Sequence, residues 1–153
     1  MTPEQLQELA DRLAIRAVVE DYARFADRID NEALAGLFAP DGALRIFERG
    51  TPEPVRQRLG RAEIAEAIKG LSRYDVTMHT VANHYVEIHG DRATGETYCR
   101  ATHIRPVEGG APDARENYVM NIRYLDEYVR LAEGWRISKR ELQVEFTEVF
   151  PVL

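Results

Sequence analysis

The hydrophobic repeat of this chain changes period once, near residue 75, and no other feature restricts the fold as much. Before that point apolar residues recur at helical spacing. Thr2 followed by Pro3 is a helix start: a hydroxyl cap, then a ring whose missing N–H costs nothing at the first helical position. Leu6, Leu9, Leu13, Val18, Tyr22 and Phe25 then carry one long amphipathic helix to about Arg28. Asp30 caps a second, short helix through Phe38, and Pro40-Asp41-Gly42 ends it with turn chemistry. Residues 43–47 read as a short strand and 48–60, with two prolines and two glycines, as a loop. A third helix follows over 61–71, with Ile64, Ala65 and Ile68 on its buried side.

After residue 75 the period is two. Residues 76–89, 92–107, 116–131 and 135–149 are rich in Val, Ile, Thr, Tyr and Phe, and the breaks between them hold Gly90-Asp91, Gly109 to Pro112, and Glu133-Gly134. These are long antiparallel strands joined by hairpins; Trp135, just after the last turn, reads as packing. Helices first and long strands after define an α+β class, with a strongly curved, mostly antiparallel sheet wrapped against the helices. The 153 residues suit one domain.

Charge and composition narrow the partners. The net charge is −6 and the basic residues are scattered, so nucleic-acid backbones and anionic membrane surfaces are repelled on average. Arg56, Arg58 and Arg61 form one short basic cluster, read as a solvated loop entering a helix. No apolar run approaches the ~20 residues of a membrane span. The N-terminal MTPEQLQELADRL is polar and acidic where a secretory signal is basic and then apolar, so a cytoplasmic location is expected. Cys99, the lone cysteine, excludes an internal disulfide and a zinc site built on cysteines.

Three residues from separate segments suggest chemistry: Asp27 at the end of the first helix, His79 in TMHT and His103 in ATHIRP. A carboxylate beside a histidine fixes its tautomer and stabilises the imidazolium, and histidine titrates near neutrality without help. On the strand of His103, Thr97, Cys99 and Ala101 share one face; such small side chains suit a pocket wall or a closely packed helix. Strict alternation puts His84 opposite to His79, and His89 on the same face but far along the strand, so neither joins the pair. Taken singly, Asp27 also reads as a solvated carboxylate and each histidine as an ordinary packed residue. Arg140 reads equally as a surface ion pair with Glu141.

The segments YARFADRIDNEALAGLFAPDGALRIF, GRAEIAEAI, TMHTVANHYVEIHGDRATGETY and RYLDEYVRLAEGWRISKRE resemble the SnoaL-like branch of the nuclear transport factor 2-like superfamily over nearly the whole chain. The resemblance implies a cone-shaped α+β barrel. It also implies kinship in the site with enzymes of the scytalone dehydratase, bile-acid 7α-dehydratase and hexachlorocyclohexane dehydrochlorinase types, which share an Asp–His pair inside the cone. Asp27 and His79 stand at that pair, His103 at the second histidine of the scytalone type, Tyr22 at a tyrosine of the bile-acid type and Arg140 at its late arginine. Ala26 stands where the scytalone type has a tyrosine. The activity implied by the likeness is that of a lyase acting without cofactor or metal on a small apolar or aromatic hydroxylated substrate, with loss of water or formaldehyde. Asp27, His79 and His103 would be catalytic, and Tyr22, Asn121, Tyr124 and Arg140 would bind substrate. Isomerases, polyketide cyclases, dehalogenating enzymes and the non-catalytic small subunits of ring-hydroxylating dioxygenases share the fold and remain alternatives. The apolar convex face of such a sheet implies a homo-oligomer, a trimer or a dimer.

Overall fold

The N-terminal signals act locally, as their chemistry requires. In the computed structural model, which describes residues 1–152, Thr2 and Gln5 cap one another reciprocally and helix α1 runs Pro3–Arg28. It stops where Ile29 adopts left-handed backbone, φ 54°, and returns its N–H to the carbonyls of Ala26 and Phe25. Asp30 then caps α2 (Asn31–Gly36), its Oδ1 accepting from the Ala33 N–H at 3.2 Å.

Apolar spacing located α1 but not the inner side of its first half. Leu6, Leu9 and Leu13 are exposed, whereas Asp11 is buried with Ile15, Val18, Val19, Tyr22, Ala23 and Ala26. Asp11 is tolerated inside because Arg130 Nη2 reaches its Oδ2 at 2.6 Å and the Trp135 indole N–H its Oδ1 at 3.0 Å. Trp135 therefore packs and also holds this carboxylate.

The remaining elements are β1 (Phe38–Glu48), β2 (Arg56–Leu59), α3 (Gly60–Ile68) with a 3₁₀ turn over Lys69–Arg73, β3 (Val76–His89), β4 (Arg92–Pro106), β5 (Arg115–Leu131) and β6 (Gly134–Val152). The strands form one curved six-stranded sheet in the order β2-β1-β6-β5-β4-β3, antiparallel except for the β1–β6 pair. Three local expectations are corrected. Helix α2 ends at Gly36, and Phe38, wholly buried, opens β1 instead. Pro40-Asp41-Gly42 lies inside β1 as an irregularity, because pairing passes from Phe38↔Ile137 directly to Ala43↔Lys139. Proline has no N–H for the ladder, and a Cβ on Gly42 would stand 3.0 Å from the carbonyl oxygens of Ala39 and Ile137. The expected loop over 48–60 also contains β2, paired with β1 from Ala43↔Leu59 to Ile46↔Arg56.

Register shifts bend the sheet around α1. One falls between Val81 and His84 of β3, and two fall in β6, where pairing omits Ser138 and Glu145. Strand β3 is an edge, and α1 lies along it: Arg12 Nη1 donates to the Val86 carbonyl at 2.9 Å and Arg16 Nη1 to that of Ala82 at 3.1 Å. No helix among the described residues is long and apolar enough to cross a membrane.

Under α1 the sheet encloses an ion pair. Arg140 and Asp126 face each other across β6 and β5 with both side chains 0% exposed, joined by Nε to Oδ1 and Nη2 to Oδ2, each 2.8 Å. Tyr128 donates its hydroxyl to Asp126 Oδ2 at 2.7 Å. The guanidinium lies between the rings of Tyr22 and Tyr124, 4.1 Å from each centroid. Arg140 is thus no surface residue paired with Glu141. Removing one partner strands the other charge, so Arg140→Met is expected to cost roughly 3–5 kcal/mol. Adding Asp126→Asn should recover part of the loss, as measured by denaturant unfolding of the single and double variants.

Candidate functional site

Asp27 is the penultimate residue of α1, and its carboxylate crosses to β3. It accepts the His79 backbone N–H at 3.1 and 3.0 Å through its two oxygens, and Oδ1 also lies 2.6 Å from His79 Nδ1. A carboxylate here accepts, so Nδ1 carries the proton and Nε2 presents its lone pair. His79 is thereby held by backbone and ring together. The negative charge near a helix C-terminus, unfavourable by itself, is offset by these donors.

His103 stands beside this pair. Its ring lies 5.8 Å from that of His79 at 87°, and 4.6 Å from Tyr74. Its Nδ1 is 3.0 Å from the Tyr118 carbonyl oxygen, which can only accept, so this nitrogen too keeps its proton and Nε2 alone exchanges with the cavity. Burial pushes the His103 pKa below its ordinary 6.5; the Tyr118 carbonyl acts against this, and His79 and Arg73 add to it.

Both histidines line a cavity of about 220 Å³. Tyr22 and Tyr124 close its floor, Ala101, Met120, Ile122, Leu142 and Val144 form apolar walls, and Tyr74 and Tyr118 flank His103. Burial raises the pKa of both floor tyrosines, which therefore stay protonated and able to donate. Two larger depressions, about 440 and 430 Å³, lie against other parts of the sheet and contain neither histidine.

The structure brings together Asp27, His79, His103, Tyr22 and Tyr124. It does not bring Asn121 or Arg140 to the cavity. Asn121 pairs with Arg100 across the strands on the outer face, where its side chain meets Arg100 and Glu148 at 3.0 and 2.9 Å. Arg140 lies behind the tyrosine floor. The shift after Val81 also corrects two other placements: His84 sits opposite Thr97, on the inner face, while His89 pairs with Arg92 and is exposed. His84 nevertheless does not line the cavity; burial first, then the Arg16 charge, lowers its pKa. Of the small-residue track, Ala101 lines the cavity, while Thr97 and Cys99 are buried in the core. Burial pushes the Cys99 thiol up to about 11, so it is no nucleophile at neutral pH. Tyr74 is not legible in the sequence because nothing local marks a residue after a 3₁₀ turn as facing a distant strand. Among the described residues no three His, Cys, Asp or Glu side chains cluster so as to hold a metal ion.

The cone that carries this site is a fold to which the comparisons with known proteins also lead. The SnoaL-like domain family matches residues 7–141, and the chain belongs to that family. An uncharacterized protein of Mycobacterium tuberculosis is 28% identical over 138 residues, covering 87% of this chain and 84% of that protein. The fold is shared with a candidate scytalone dehydratase of Novosphingobium aromaticivorans, TM-score 0.78 and 22% identity over 95% of this chain and 91% of that one. It is shared also with a type 2 hexachlorocyclohexane dehydrochlorinase, TM-score 0.79 and 21% identity over 97% and 93%. At these identities the likeness to the two structures is one of fold.

The lowered pKa values of His103 and His84 link stability to pH. The unfolded chain binds protons near the ordinary 6.5 whereas the folded chain resists until lower pH, so stability is penalised as pH falls through that window. The urea midpoint is expected to drop between about pH 7 and about pH 5.5, and less steeply in His103→Asn.

Proposed function

We propose that the protein is a cofactor-independent lyase that eliminates water from a small, largely apolar or aromatic molecule with a hydroxyl β to a carbonyl or an electron-poor ring. The observation that carries this reading is the Asp27–His79 contact in the wall of a cavity with a tyrosine floor. Nε2 of His79 takes the proton from the α carbon while Asp27 holds the ring and stabilises the imidazolium. The C–H electrons form the new double bond as the β C–O bond breaks. His103, as imidazolium, gives its Nε2 proton to the departing oxygen, which leaves as water. Transfer of the proton gained by His79 back to His103 restores both. Tyr22 and Tyr124 donate to the oxygen that becomes negative.

Burial makes cationic His103 a stronger acid than free imidazole but a scarcer one. A retro-aldol variant would use the same base on a hydroxyl proton and release formaldehyde, with a different product mass. The open cavity supports an enzyme over a non-catalytic subunit, whose cone needs no such space. Buried, unpaired Cys99 suits a reducing, cytoplasmic setting, which we include in the proposal.

We also propose self-association, as a dimer or trimer, through the outer sheet face. Tyr85 is 66% exposed there and Phe146 55%, with Tyr98, Leu125 and Phe150 also exposed.

With a panel of small β-hydroxy carbonyl compounds, mass spectrometry should find a product lighter by one water. His79→Ala and Asp27→Asn should each lower kcat by about 10²-fold or more, with the circular dichroism of the wild type. Near-wild-type rates in both would refute the mechanism. Light scattering should give two or three protomer masses, falling to one in Phe146→Asp/Phe150→Asp.

A further inference from the structure

The polar lining of the cavity changes character from floor to rim. Buried tyrosines and His103 lie inside, and three exposed charged residues, Glu48, Arg56 and Arg73, line the same cavity at its open end. Arg56 is paired with Ile46, another lining residue, across β2 and β1, and so stands on the inner face. Among the described residues neither arginine has an ion-pair partner.

Arg73 is held in place without being neutralised. Its guanidinium lies 4.8 Å over the Tyr74 ring and Nη2 donates to the Tyr74 hydroxyl at 2.9 Å. The Tyr74 ring is in turn 4.6 Å from His103. One aromatic ring therefore separates an oriented, unpaired cation from the histidine. The chain carries a net charge of −6, yet this rim sets two guanidiniums against one carboxylate. A local surplus opposite in sign to the whole protein draws an anion, and a planar guanidinium matches a carboxylate through two parallel hydrogen bonds. The volume decides the rest: at about 220 Å³ the cavity is below the roughly 300 Å³ where pockets for drug-sized ligands begin, so it takes a body of one or two rings.

We propose that Arg73, aided by Arg56, is a specificity determinant that holds a carboxylate of the substrate at the rim while its compact apolar body enters past His103 toward His79. This rests on the reading of His79 and His103 as the reacting centre, and narrows the substrate to small apolar acids.

Binding tests it without turnover. Naphthalene-2-carboxylate and naphthalene-2-carboxamide, equal in shape and different in charge, are titrated by calorimetry into the wild type, Arg73→Gln, Arg56→Gln/Arg73→Gln and His79→Ala. The wild type should bind the carboxylate about tenfold more tightly than the amide. Arg73→Gln should lose most of that preference and the double variant all of it, with the amide affinity unchanged, and added salt should weaken the carboxylate alone. Equal affinities in the wild type, no binding of either probe, or a preference that survives in the double variant overturns the proposal. His79→Ala should retain the preference; if that variant also kept full turnover, the catalytic reading would fail while the rim assignment stood.

Discussion

A carboxylate and a guanidinium that share no water hold this molecule together from within. Asp126 and Arg140 cannot be parted without leaving a bare charge in a medium that solvates it poorly, so the strands that bear them stay in register. The same guanidinium lies between Tyr124 of β5 and Tyr22 of α1, which fixes the helix against the sheet through a cation. Asp27 follows Tyr22 by five residues on that helix, roughly 7–8 Å along the axis. The placement of the carboxylate that grips His79 therefore begins at an ion pair that never meets the cavity.

The two histidines of the cavity differ in their second contacts. Each has Nδ1 committed, one to a carboxylate and one to a carbonyl, and each offers only Nε2. Asp27 can stabilise a proton taken up by its ring; the Tyr118 carbonyl, uncharged, does less for His103, whose burial works against the cation. The penalty that makes cationic His103 eager to give up its proton is the same one that weakens the fold in acid.

Local signals were the most legible in the sequence. Thr2-Pro3, Asp30 and the glycine-bearing hairpins act within a few residues, and the four long strands after residue 75 stand out by their period, whereas most of β1 and all of β2 before it did not. Asp27 and His79 were legible through family likeness, since nothing in the spacing of two residues 52 apart announces contact. Inward and outward placement on the strands was legible only until a bulge intervened. Strict alternation put His84 outside, and in β6 it would set Arg140 on the face away from Trp135 and Ile137, whereas omission of Ser138 from the pairing turns it inward. Asn121 is a different case. Tyr118, Met120, Ile122 and Tyr124 share the inner face of β5, so Asn121 had to point out. A usable signal for the ion pair was present as well: Asp126 sits between Tyr124 and Tyr128 on that face, and an acid there requires a buried cation.

Asp27 also ends a series. Along the free edge of β3 the side chains of Arg12, Arg16 and Asp27 satisfy the carbonyls of Val86 and Ala82 and the N–H of His79. These polar backbone groups would otherwise invite a strand from another chain. The carboxylate that holds His79 is thus one of three stops against intermolecular pairing. An acceptor at this position therefore has a use independent of any chemistry at His79: it helps keep the sheet edge out of aggregates.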